Sequence, residues 1–79
     1  MSETNEIKIE LSIDEIKNIM RKARAKVDNN YAYVPGTRRD EIWGWFWAYL
    51  DKRLGRELSL KEFYAYSNQP GVEELVFRG

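Results

Sequence analysis

The sequence predicts a small α+β domain, and three observations carry that reading. A short, strictly alternating run opens the chain at Ile7–Leu11. Ser-x-x-Glu boxes and a long aromatic segment with helical spacing follow, and "LVF" near the end offers a second strand. The predicted order is β-α-(β)-α-α-β, with a two- or three-stranded sheet packed on helices over residues 7–79. If the terminal strands do not form, the alternative is an all-α three-helix bundle.

Met1 to Glu6 read as a loose tail. In "IKIEL", Ile7, Ile9 and Leu11 fall on one side and Lys8 and Glu10 on the other, the pattern of a half-buried strand. Ser12 with Glu15 three residues later is a capping box that opens a helix. Ile13, Ile16, Met20, Ala23 and Val27 form its apolar stripe, with Asp14 and Glu15 in the dipole-favoured first turn. "DNN" ends that helix, and Tyr31–Val34 reads as a short extended piece, the third strand candidate. "VPGT" has the composition of a type II turn, with Gly36 at its positive-φ position. Thr37 is the expected cap of a second helix running to Arg53 or Leu54, with Gly55 as its left-handed terminator. Ser59 and Glu62 open a third helix, "LKEFYAYS", which "NQPG" breaks. The tail "VEELVFRG" fits either period: Val72, Leu75 and Val76 have helical spacing. A strand at Leu75–Phe77, pairing with residues 7–11, is the reading adopted.

At 79 residues the chain has room for one domain. A domain of this size buries only about 60–65% of its unfolded surface, so its stability is marginal. The sequence has no cysteine and no histidine. That excludes a disulfide framework and the ordinary zinc, copper or haem sites, and no cofactor or metal is expected. The acidic, polar opening is unlike a signal peptide, and the longest mostly apolar run, Ile42–Leu50, is too short to span a bilayer. The expectation is a cytoplasmic protein without membrane association.

Within "WGWFWAY", residues 43–49, stand three tryptophans, a phenylalanine and a tyrosine. At about 100° per residue, Ile42, Trp43, Phe46, Trp47, Leu50, Arg53 and Leu54 share one broad face, the natural core side. Trp45 lies about 130° from its centre, and Tyr49 sits at its margin. Gly44, Ala48 and Gly55 line the back of the helix. Glycine inside a helix costs about 1 kcal/mol relative to alanine, so this groove calls for an occupant. The third helix, the Tyr31–Val34 segment or a second chain could fill it. Trp45, Tyr49 and Lys52, around Gly44 and Ala48, are the candidate partner-binding residues.

Thirteen basic and thirteen acidic residues cancel, but residues 16–39 carry seven bases against one acid. Lys17, Arg21 and Arg24 edge the first helix. Arg38 and Arg39, after Tyr31 and Tyr33, sit where a helix dipole disfavours cations. They either pair with acids such as Glu41 or the N-terminal segment, or meet phosphate or carboxylate groups of a partner. Arginine with exposed tyrosine suits nucleic acid, although a pI near 6.3 argues against it. A helix-turn-helix is disfavoured because "LKEFYAYSNQ" has a single basic residue.

Without His or Cys, catalysis would fall to Ser, Thr, Lys or carboxylates. The pairs Asp14-Glu15, Asp40-Glu41 and Glu73-Glu74 diverge on a helix, and no phosphate or calcium loop is present. No enzymatic activity is expected. The expected function is a protein-protein interaction module, a small regulator or inhibitor of the kind mobile elements encode, acting through the aromatic helix and able to form a homodimer. The alternative is nucleic-acid binding through Lys17, Arg21, Arg24, Tyr31, Tyr33, Arg38 and Arg39.

Overall fold

A computed structural model describes residues 7–30 and 36–77, and these are all-helical: α1 (Ile13–Asn30), α2 (Arg38–Leu54), α3 (Leu60–Ser67) and α4 (Val72–Phe77). The α+β expectation is thereby corrected, and the helical-bundle alternative fits instead, with the tail as a fourth helix. No strand occurs among the described residues. The Tyr31–Val34 strand candidate lies outside them.

Helix α1 opens as its capping box requires. The Glu15 amide donates to Ser12 Oγ at 3.1 Å, and the Ser12 amide donates back to Glu15 Oε1 at 3.4 Å. Ile16, Met20, Ala23 and Val27 are buried, whereas Ile13, the first residue of α1, is 41% exposed. In α2 the buried line is Ile42, Phe46 and Leu50, flanked by half-buried Trp43, Trp47, Tyr49 and Leu54. Arg53, on the edge of that face, is exposed and reaches Glu15 at 3.0 Å. Thr37 does not cap α2 through its side chain; it contributes its carbonyl to the Glu41 amide instead. Gly55 terminates α2 at φ 73°, its amide donating to the Asp51 carbonyl.

Two ion pairs fix the register of α1 against α2. Glu15, at the start of α1, meets Arg53 at the end of α2, and Asp28, at the end of α1, meets Arg38 at the start of α2. The two helices therefore run antiparallel. α3 closes one flank by inserting Phe63 among the α2 aromatics: its ring stacks on Trp47 at 4.4 Å and meets Trp43 edge-on at 5.9 Å. Its own capping box is complete. α4 packs on both α1 and α2 with fully buried Val72 and Val76.

Both predicted terminal strands fail for one reason. Gly71 takes φ 81° and redirects the chain, after which Val72 and Val76 meet the core at i and i+4 spacing. With residues 72–77 helical, Ile7–Leu11 has no strand to pair with among the described residues. Its alternation still reports facing correctly: Leu11 is buried and Ile9 half-buried, while Lys8 and Glu10 are exposed. The Glu10 amide is satisfied by the hydroxyl of Tyr66, 2.9 Å away on α3. No helix among the described residues is long and apolar enough to cross a membrane.

Three carboxylates are held ionised by these contacts. The Arg53 guanidinium, helped by the Ser12 amide, keeps Glu15 below the usual carboxylate range. Arg38 does the same for Asp28, and the Ser59 amide with Arg56 for Glu62. Because their folded pKa values are depressed, the unfolded chain binds more protons through the carboxylate range. The stability these groups contribute is full above the unfolded values and lost as pH falls through the folded ones. The urea midpoint is therefore expected to be flat near neutrality and to decline between about pH 5 and about pH 3. The decline should be modest, since the pairs are exposed or only half-buried. An Arg38→Ala/Arg53→Ala/Arg56→Ala variant with an undiminished decline would show that these pairs are not its source.

Candidate protein-interaction face

The outer face of α2 follows from the rotation of its residues. Once Ile42, Phe46 and Leu50 point into the core, Gly44, Trp45 and Ala48 must point away from it. Trp45 is 36% exposed, a large apolar ring at the surface. Beside it lies a shallow groove of about 430 Å³ lined by Asp40, Glu41, Gly44, Trp45 and Ala48. A methyl group placed on Gly44 would meet nothing within 4 Å, so no described part of the chain uses the space that this glycine leaves. Of the occupants the sequence suggested for the groove, α3 is ruled out: it packs on the opposite flank, at Trp43 and Trp47.

The Trp45 ring also has neighbours within the fold. Lys26 places its Nζ 5.0 Å from the indole centroid, and Lys22 stands 5.5 Å from the centroid of the Tyr49 ring. The two aromatic rings lie 5.8 Å apart, tilted against each other, as residues one turn apart on a helix do. Trp45 is thus held by Tyr49 and Lys26 and lines the groove beside Gly44 and Ala48. Such a ring is oriented before any partner arrives, which lowers the entropic cost of binding through it. Lys52, exposed, continues the same face toward the C-terminal end of α2, and Glu41 stands at its N-terminal end.

The fold brings all five predicted partner-binding residues, Gly44, Trp45, Ala48, Tyr49 and Lys52, onto one side of α2. The basic candidates are not gathered in this way. Arg38 is engaged within the fold: its Nε and Nη2 donate to both Asp28 carboxylate oxygens at 2.7 and 3.0 Å, and Nη1 to the Val76 carbonyl at 3.3 Å. Lys17 lies along Gly71, Arg21 donates to Asn18 Oδ1 at 2.6 Å, and Arg24 lies near Asp28. Arg39 is exposed. Tyr31 and Tyr33 fall outside the described residues.

Sequence reasoning missed two features. Lys22 and Lys26 are i and i+4 on α1, but their meeting with Tyr49 and Trp45 depends on the hairpin register, for which Asp28 and Arg38 were the available signal. Leu60 and Tyr64, also i and i+4, are 53% and 54% exposed on α3, and Tyr64 borders a second cleft with Trp43, Phe63 and Ser67. Comparison with protein-family models, curated proteins and solved structures finds no match to this chain.

Proposed function

We propose that this chain is a non-enzymatic protein-interaction module, a small regulator or inhibitor in character, that binds a protein partner through the Gly44–Trp45–Ala48 face of α2. One observation carries the reading: a pre-oriented, half-exposed tryptophan borders a groove whose floor is a helical glycine, at which an added methyl would meet no described part of the chain. A mid-helix glycine sacrifices about 1 kcal/mol against alanine. In a domain with so small a core, a groove that no described residue fills makes sense as a contact surface. Tryptophan is among the residues most enriched at the energetic centres of such surfaces.

The reading makes an unusual pair of expectations for Gly44→Ala. Stability rises by up to about 1 kcal/mol, a gain of about 4–8 °C in Tm, because the new methyl enters open space. Partner binding falls, because the methyl raises the groove floor. Trp45→Ala should leave Tm within a few degrees and abolish binding. Affinity capture with wild-type, Gly44→Ala and Trp45→Ala baits, alongside thermal melts, checks both. The same captured proteins on all three baits would remove the face from consideration. Salt-sensitive binding of random duplex by wild type, unchanged in Trp45→Ala, would move the function to the basic side of α1.

A further inference from the structure

The outer face of α2 is complementary to itself, and we infer that its partner is a second copy of this chain, docked α2 against α2 in antiparallel fashion about a two-fold axis. This rests on the reading of the Trp45 face as a protein-binding surface and names what binds there.

The arrangement of residues along the face supports it. Glu41 and Lys52 are eleven residues apart, about three turns, so they lie on nearly the same line of the helix. Both are exposed, and neither forms an ion pair among the described residues. Their midpoint falls between Phe46 and Trp47, and the midpoint of Trp45 and Ala48 falls at the same place. Reversing the helix about that point sets Glu41 opposite the Lys52 of the second copy, and Lys52 opposite its Glu41. The same reversal sets each Trp45 opposite the other copy's Ala48. A bulky ring thus meets a small residue twice, and an acid meets a base twice, which is what a two-fold contact between identical surfaces demands. A parallel arrangement would oppose acid to acid and indole to indole.

Gly44 and Ala48, one turn apart, keep the contact low. Two helices ordinarily pack 8–10 Å apart, and small residues at the crossing allow closer approach. The face is narrow, so the dimer is a weak one, with dissociation in the micromolar range typical of small interfaces.

Charge reversal provides the test, read by sedimentation equilibrium over a concentration series to about 1 mM. Wild type is expected to dimerise, and Trp45→Ala to remain monomeric. Glu41→Lys alone and Lys52→Glu alone should each weaken dimerisation at least about tenfold, because symmetry counts every repulsive pair twice. An equimolar mixture of the two variants should recover association to within about threefold of wild type, since a mixed pair restores opposite charges at both ends. Both substitutions are at exposed positions, and circular dichroism confirms the fold. A wild type monomeric at the highest concentration, single reversals without effect, or a mixture as weak as its components overturns the inference. If wild type is monomeric while Trp45-dependent capture of other proteins persists, the self-pairing fails and the binding face stands. If both are absent, the face itself is lost.

Discussion

Phe46→Ala is expected to cost about 3–5 kcal/mol and to leave little of the cooperative fold. Phe46 has no exposure, and its ring is where the helices meet: Trp43 lies 5.7 Å away and Phe63 of α3 6.0 Å, with Ile42 and Leu50 on the same line. Truncation to alanine removes the ring that α3 closes over, and the short helix has few other buried groups with which to compensate. A chain of this length carries about 4–12 kcal/mol of total stability, so the loss is comparable with the whole. Far-UV circular dichroism should show reduced helix at 25 °C, and the urea midpoint should fall by more than about 2 M. Trp45→Ala is the control: a still larger aromatic, one residue earlier, whose removal should shift the midpoint little. Similar midpoints for the two variants would contradict the division of α2 into a core line and an outer face.

That division was legible in the sequence because it depends only on the helical period. Ile42, Phe46 and Leu50 recur at i, i+4 and i+8, and Trp45 cannot join them without bending the helix. The caps at Ser12 and Ser59 were legible for a similar reason, each being complete within four residues. Features that depend on a partner distant in sequence were not. The alternation of Ile7, Ile9 and Leu11 correctly records which side chains turn inward, but alternation does not reveal whether a second strand exists. The partner expected for it, Leu75–Phe77, became helical once Val72 and Val76 found α1 and α2. Arg38 shows the same limit. The helix dipole marked it as a cation in an unfavourable place, and a nearby acid was one expected answer. The acid proved to be Asp28, brought there by the antiparallel turn of α2 onto α1.

Lys22, Lys26, Tyr49 and Trp45 extend this point from fold to site. Each pair is one turn apart on its own helix, and the hairpin register laid by Asp28–Arg38 and Glu15–Arg53 sets cation over ring twice. The exposed indole is thus a consequence of the fold as well as of its own position, and weakening the hairpin should loosen the face along with it.

Tyr66→Phe is expected to destabilise the chain by about 1 kcal/mol, and Tyr66→Ala by about 3–5 kcal/mol. Tyr66 is fully buried, and its hydroxyl is the acceptor for the Glu10 amide at 2.9 Å. That bond replaces the ladder that a sheet would have supplied to residues 7–11. It holds the extended segment against α3, while Arg56 bridges Glu10 and Glu62 at 2.8 and 2.7 Å on the outside. Phenylalanine keeps the ring in place and removes only the acceptor, so the fold should persist with Tm lowered by about 4–8 °C. Hydrogen exchange at the Glu10 amide should accelerate far more than exchange in the centre of α1. Leu11→Ala, which loosens the same segment from its apolar side, should combine with Tyr66→Phe non-additively, because either change alone already frees part of what the other would free. Were residues 7–11 instead paired as a strand, their amides would be protected by that strand. Exchange at Glu10 would then be indifferent to the Tyr66 hydroxyl, and the two substitutions would simply add.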